Sequence, residues 1–217
     1  MKLTATREQI LGPVQSVIGV VERRQTMPVL SNVLLSARNN RLSVTGTDLE
    51  VELVASTEVQ VQQAGDVTVP GRKLLDICRA LPEGTQMTLI TEADRVTVRG
   101  GRSRFTLSTL PAAEFPVIEE INTQLTLSVA QADFRRLIDK THFSMAQQDV
   151  RYYLNGMLLE TDGKMLRTVA TDGHRLALCE MELGLGGRGQ QIIIPRKGVL
   201  ELQRLLSGEG SVKLTIG

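Results

Sequence analysis

The sequence predicts an α+β protein made of two copies of one domain, each with antiparallel sheets and two helices. The first observation is internal repetition: residues 42–48, LSVTGTD, match residues 166–172, LRTVATD. The two copies are displaced by 124 residues (166 − 42). Such a long displacement indicates duplicated domains, because solenoid repeats recur every ~20–50 residues. The second observation is that each copy combines many short alternating segments with only two helical segments, which favours antiparallel sheets with helices on one face.

In the first copy, a helix is predicted over residues 7–19, where apolar residues recur at helical spacing. Gly12 and Pro13 weaken or kink this segment. Pro70 opens a second helix, which extends to about Ala80 and ends before the turn signal at 82–84. Alternation and β-branched content predict seven strands around these helices. They are residues 33–37, 42–45, 51–55, 58–61, 87–91, 95–99 and 104–108.

The second copy follows a linker that contains Pro111 and Pro116, and its predicted helices are residues 131–141 and 196–206. The predicted domains are therefore residues 1–122 and 123–217. Gly217 aligns with about Glu92 of the first copy, so nothing corresponds to residues 95–110. The second domain is expected to be incomplete.

Charge is concentrated in the predicted helices. They contain ten basic and five acidic residues, a net +5, while the whole chain carries +1 and the remainder −4. If the helices share one face, that face is basic and suits a surface that follows a phosphate backbone without reading bases. Basic residues near helix ends can also be ordinary solvated caps. Their recurrence in both copies favours the phosphate-binding interpretation.

The composition and motifs of the sequence indicate where the protein is located in the cell and which cofactors or metals it is expected to lack. No apolar run approaches the ~18 residues of a membrane span, and the first residues lack an export signal, so a cytoplasmic protein is expected. Cys78 and Cys179 lie in separate apolar contexts and are expected to be buried thiols rather than a disulfide. The sequence has no glycine-rich phosphate loop, no CxxC pair and no metal-ligand spacing, which predicts neither cofactor nor metal.

Asp172 and His174 could form half of an acid/base site. The equivalent stretch of the first copy retains the aspartate at Asp48 but has no histidine. A duplicated turn aspartate that accepts backbone hydrogen bonds is therefore the favoured interpretation. Because an enzyme would also need a nucleophile or a metal that the sequence does not supply, a protein without catalytic activity is predicted.

Four segments closely resemble the bacterial β sliding clamp family, the processivity subunits of replicative DNA polymerases. They are AQQDVRYYLNG at 146–156, TVATDGHRL at 168–176, VPGRK at 69–73 and GRSRFTLSTLP at 101–111. The resemblance extends from Met1 to Gly217. Family members have three copies of the domain, and this chain resembles the first and most of the second, without the third.

The resemblance implies a head-to-tail homodimer that closes into a ring around double-stranded DNA, with helices on the inner wall and sheets outside. It implies replicative and repair DNA polymerases and the clamp loader as partners, and neither a cofactor nor a membrane. A chain that lacks the third domain is not expected to close a ring alone. The alternative is a DNA-binding or dimerisation module without clamp activity. Salt-dependent DNA association would separate a plain structural dimerisation module from a clamp.

The resemblance also assigns residues to DNA contact, with Arg72 and Lys73 as the weaker candidates. The full set is Arg24, Arg72, Lys73, Gln148, Arg151, Tyr152, Tyr153 and Lys197. For Tyr152 and Tyr153 an alternative stays open, in which one is a buried and the other a half-exposed strand residue.

Two further sets follow from the resemblance. The first is half of a pocket for short apolar peptides: Leu154, Thr171, Gly173, His174, Arg175 and Leu176. Its two leucines could instead be ordinary strand core. The second is the ring interface: Lys73, Ile77, Leu81, Arg102, Arg104, Phe105 and Leu107.

Overall fold

The computed structural model describes residues 1–21, 27–116, 118, 122–184 and 189–217. Arg24, one of the predicted DNA contacts, lies outside the described residues. The chain separates into two compact units, Met1–Ile118 and Glu119–Gly217. Within these described residues, each unit combines antiparallel sheets with two α-helices, as the sequence predicts.

Unit 1 contains two antiparallel sheets, one five-stranded with the order β5-β1-β7-β8-β9 and one four-stranded with the order β4-β3-β2-β6. Its elements are β1 (Lys2–Thr6), α1 (Arg7–Val17), β2 (Asn32–Arg38), β3 (Arg41–Thr47), β4 (Glu52–Glu58), β5 (Gln60–Gln63), β6 (Gly65–Pro70), α2 (Gly71–Ala80), β7 (Gln86–Glu92), β8 (Arg95–Gly100) and β9 (Ser103–Ser108).

Helix α1 begins at a capping box formed by Thr6 and Gln9. It continues through Pro13 and ends at Val17, two residues before the predicted end. Strand β6 was not among the predicted strands, because a glycine and a proline at its two ends resemble turn punctuation. It nevertheless pairs with β2 along its full length.

Unit 2 contains a two-stranded sheet, β10-β15, and a four-stranded sheet with the order β13-β12-β11-β14. Its elements are β10 (Leu125–Ala130), α3 (Gln131–Asp139), β11 (Gly156–Thr161), β12 (Met165–Thr171), β13 (Leu176–Glu182), β14 (Gln190–Pro195), α4 (Arg196–Leu205) and β15 (Ser211–Ile216). Two 3₁₀ turns, His142–Ser144 and Tyr152–Leu154, lie between α3 and β11.

The repeat seen in the sequence is a repeat of structure. Strand β12 occupies in unit 2 the place of β3, flanked by β11 and β13 as β3 is flanked by β2 and β4. Each unit has a separate hydrophobic core. Cys78 is buried in the first core as predicted, whereas Cys179 is only partly buried against the second because it lies on the outermost strand β13.

With the observed helix bounds, the four helices hold nine basic and five acidic residues, a net +4. Lys140 drops out of the predicted count because it is the C-cap of α3. Helices α2 and α4 each carry +2, while α1 and α3 are neutral. The excess positive charge therefore belongs to the second helix of each unit.

Candidate nucleic-acid interface and peptide pocket

The segment 146–155 is a loop closed at its base by hydrogen bonds. The Asn155 side chain accepts a hydrogen bond from the Asp149 amide at 2.9 Å and donates one to the Asp149 carbonyl at 2.8 Å. The Ala146 amide donates to the Leu154 carbonyl at 3.0 Å. Because the base is held in this way, the middle of the loop projects into solvent, and Val150 is 98% exposed.

Tyr152 and Tyr153 form the exposed end of this loop. They belong to a 3₁₀ turn, and their rings meet edge to face with centroids 5.9 Å apart. Tyr152 is 83% exposed and Tyr153 is also exposed. The alternative of one buried and one half-exposed strand residue is therefore wrong. Two neighbouring exposed aromatic rings present a surface on which sugars or bases can stack.

Arg151 is exposed, but its guanidinium already has a partner. Its Nε donates to Asp149 Oδ1 at 3.0 Å and its Nη2 to Asp149 Oδ2 at 2.9 Å. The side-chain hydrogen bonds from Arg151, followed by the one from its backbone N–H, lower the pKa of Asp149 to about 2. Gln148, immediately before this pair, is exposed and has a left-handed backbone with φ of 56°.

Some basic side chains of the helices already have hydrogen-bond or ion-pair partners within the protein. Arg72 donates from Nη2 to the Val21 carbonyl at 2.9 Å, which ties it to the segment that follows α1. Arg204 is paired with Glu201 at 2.6 Å. Lys73 is exposed, and Lys197 is half-buried. A count of charges along the sequence therefore overestimates the cations that can reach a phosphate, because it does not include internal pairs.

The turn after β12 explains Asp172. Its Oδ1 accepts the backbone N–H groups of His174 and Arg175, both at 3.0 Å. These two hydrogen bonds are the main cause of the lowered pKa of Asp172. Asp48 makes the same turn in unit 1 and accepts the amides of Glu50 and Val51. The favoured interpretation, a duplicated turn aspartate, is confirmed.

Arg175 links this turn to a neighbouring segment. Its Nη2 donates to the Phe143 carbonyl at 2.6 Å, and its guanidinium lies 5.9 Å from the centroid of the Phe143 ring. Phe143 itself is exposed. It was not among the predicted pocket residues, because it lies 32 positions away along the sequence and no local pattern connects the two.

The predicted pocket leucines differ from each other. Leu154 is 8% exposed, whereas Leu176 at the start of β13 is 63% exposed. The core interpretation therefore fits Leu154, and Leu176 offers apolar surface to a ligand. Thr171 and Gly173 belong to the turn that connects β12 to β13, and Thr171 Oγ1 accepts a hydrogen bond from the Gly173 amide at 3.1 Å. His174 is exposed.

The two predicted sites adjoin. Gly173 has φ of 88°, and a Cβ placed on it would lie 3.3 Å from Arg151 Nη2. A predicted DNA contact thus lies directly against the turn of the predicted pocket. The sequence assigned the two residues to separate roles, and only the fold brings them together.

The residues predicted for the ring interface divide by burial. Ile77, Leu81 and Leu107 belong to the core of unit 1, and Phe105 packs against that core. Lys73, Arg102 and Arg104 are exposed. Within the described residues, β9 is the outermost strand of its sheet and pairs only with β8. Just beyond the end of β9, Leu110 forms an isolated bridge with Thr68. An outermost strand of this kind is a template for pairing with another chain.

Within the same described ranges, no group of three or more His, Cys, Asp or Glu side chains could hold a metal ion. In that part of the chain, no helix is long and apolar enough to cross a membrane.

Repeated α+β domains with paired antiparallel sheets, with excess positive charge on the second helix of each unit, define a protein of the DNA-clamp class. Family models agree in both halves of the chain. The model of the DNA polymerase III beta subunit N-terminal domain matches residues 1–119, and that of the central domain matches residues 128–217. The chain belongs to the DNA polymerase III beta subunit family.

Individual relatives give the same result. The chain is 55% identical over 220 residues to the beta sliding clamp of Pseudomonas aeruginosa and 52% identical over 219 residues to that of Escherichia coli K12. It covers 60% of the length of each of these curated relatives. Among solved structures, it matches the DNA polymerase III subunit beta from P. aeruginosa at TM-score 0.96 and 54% identity, and the Caulobacter crescentus pol III beta at 0.94 and 42%. All of this chain is covered in both, against 60% and 61% of those chains.

Proposed function

We propose that this chain supplies the N-terminal and central domains, residues 1–122 and 123–217, of a DNA sliding clamp. In this proposal the whole clamp is a head-to-tail homodimer that encircles duplex DNA and tethers the replicative polymerase for processive synthesis. Identity of 52–55% to sliding clamps along the entire chain supports the assignment. The division of the structure at Ile118 supports a domain boundary close to residue 122.

The observation that carries the proposal is the exposed loop at 146–155. It presents Gln148, Arg151, Tyr152 and Tyr153 from a base held by hydrogen bonds, and none of these side chains is buried. Contacts of a cation and polar groups with phosphates are independent of base sequence, so they can exchange as DNA moves past. Lys197 is a further proposed DNA contact in unit 2. In unit 1 the proposed contacts are Lys73 and Arg72, and Arg72 contributes less because it is held by Val21.

The same proposal assigns the exposed turn 171–176 to short apolar peptides of the replicative and repair polymerases and of the clamp loader. Leu176 and Phe143 offer exposed apolar surface, and Arg175 lies beside the Phe143 ring. Peptides with aliphatic or aromatic anchors suit such a surface. The exposed edge of β9 with Arg102 and Arg104 is proposed as the ring interface. No catalytic activity of its own is proposed, and the cytoplasm is its proposed location.

DNA association tests the proposal. Arg24, Arg151 and Lys197 are replaced together by alanine, and binding to a duplex of mixed sequence is measured from low to moderate salt. Each phosphate contact that is lost should reduce the log–log salt slope by about 0.9, so affinity should fall and its salt dependence should flatten. The control replaces three exposed strand cations, Arg41, Arg99 and Lys213, and removes the same formal charge.

The control triple should bind nearly as well as the unaltered chain. Equal losses in both triples would show that net charge alone attracts DNA and would reject the proposed surface. A folded chain that shows no salt-dependent association at all would favour the alternative of a structural dimerisation module.

A further inference from the structure

Asp149 has no assigned role, yet three groups converge on it. Its carboxylate accepts the Arg151 backbone amide at 2.8 Å as well as two hydrogen bonds from the Arg151 side chain at 3.0 and 2.9 Å. Its own backbone amide and carbonyl are fixed by Asn155. A paired, planar contact of this type selects one orientation of a guanidinium.

That orientation places Arg151 against the pocket turn. The position of a Gly173 Cβ would be 3.3 Å from Nη2 and 3.5 Å from Nη1 of Arg151. The guanidinium therefore has Asp149 along one edge and the Gly173 backbone beside the other. Because both Arg151 and Asp149 are accessible to solvent, a competing anion can displace the carboxylate.

We infer that Asp149 is a positioning residue that holds Arg151 against the Gly173 turn, so that Arg151 contacts either Asp149 and this turn or a DNA phosphate. The inference rests on the proposed DNA contact of Arg151. It makes DNA binding and the shape of the peptide pocket mutually dependent through one side chain. DNA that takes Arg151 leaves the pocket turn without its neighbour.

The direction of the effect follows from charge. A carboxylate neutralises the guanidinium and occupies its Nε and Nη2 donors, both of which a phosphate would use. Asp149→Asn retains an acceptor for the Arg151 amide but removes the negative charge. The cation is then available to DNA without first displacing a carboxylate, so the affinity for DNA should rise.

The test compares Asp149→Asn with Asp162→Asn in binding to a mixed-sequence duplex. Asp162 is a matched control, since it also accepts backbone amides in a turn, at 2.9 and 2.8 Å, and pairs with an arginine, Arg167, at 3.0 Å. We expect Asp149→Asn to tighten binding about three- to tenfold at low salt, because Arg151 no longer has to leave a carboxylate to reach a phosphate. Asp162→Asn should change it less than about twofold. In the Arg151→Ala background, Asp149→Asn should have no effect beyond that of the control.

A second readout does not depend on DNA. Backbone amide resonances of Gly173 and His174 should shift in Asp149→Asn and in Arg151→Ala without DNA, and should not shift in Asp162→Asn. Unchanged resonances would overturn the inference, and so would an Asp149→Asn variant that binds DNA no better than the control when the unaltered chain does bind the duplex. If the unaltered chain does not bind the duplex while the resonances shift as expected, the proposed DNA function fails and the positioning of Arg151 stands.

Discussion

The two units share one topology around α2 and α4, yet equivalent apolar residues are buried to different degrees. Leu75 in α2 is 4% exposed, whereas its repeat equivalent in α4, Leu200, is 38% exposed. Fully buried residues of β7 likewise correspond to half-buried residues of β15. The matched pairs in these strands are Met87 with Val212 and Leu89 with Leu214.

Neighbouring strands explain the difference. Strand β7 lies between β1 and β8, while β15, within the described residues, pairs only with β10. Strands β8 and β9 add Val96, Val98 and Leu107 to the core of unit 1. Of the described residues, 26 buried side chains form that core and 13 form the core of unit 2. Residue type at a repeat position therefore does not decide burial, because the covering strands do.

The largest expected difference between the two units is in the reactivity of their cysteine thiols. Cys78 is fully buried, and desolvation raises the pKa of its thiol to about 11, so both access and thiolate formation are suppressed. Cys179 is partly buried on β13. At pH 8, iodoacetamide should alkylate Cys179 on the order of a thousandfold faster than Cys78, since reaction needs an accessible thiolate. Peptide mass spectrometry over time measures both rates.

The pH dependence of Cys78 has a definite sign. Its folded-state pKa is raised, so burial of the neutral thiol contributes stability below the unfolded pKa of about 8.5, and this contribution is lost as pH rises toward 11. In the alkylation experiment, similar rates at Cys78 and Cys179 would contradict the prediction, because they would show that unit 1 opens often enough to expose Cys78.

The second-largest expected difference between the two units is in their rates of amide hydrogen exchange. With half as many buried core residues, unit 2 should open at a lower free energy. Amides of β7 should exchange on the order of a hundredfold more slowly than those of β15, as expected for strands paired on two sides rather than one. Mass spectrometry of overlapping peptides measures this difference. Uniform protection across both strands would contradict the comparison.

The smallest expected effect is in one matched pair of substitutions. Leu89→Ala removes a fully buried side chain and should reduce the free energy of unfolding of unit 1 by about 3 kcal/mol. Leu214→Ala should reduce the free energy of unfolding of unit 2 by about 1 kcal/mol, because that side chain is only partly buried. Urea unfolding, followed by exchange in each unit, measures both losses. Equal losses would mean that Leu214 is buried in solution.

Local sequence determined much of this protein. The repeat predicted two equivalent units, and helical spacing with Pro70 predicted α2 where it is found. The turn aspartates could also be predicted, because each accepts amides only two and three residues away. Capping boxes and turns of this type depend on neighbours along the chain, which a sequence displays directly.

Tertiary structure decided the rest of the candidate site. The sequence contained Arg151, Gly173 and Phe143, but not that Arg151 lies against Gly173 or that Arg175 binds Phe143. It also did not show that Ile77, Leu81 and Leu107 are buried in the core of unit 1. Burial and ion pairing depend on groups distant in sequence, and the same side chain is core or surface according to which strands cover it.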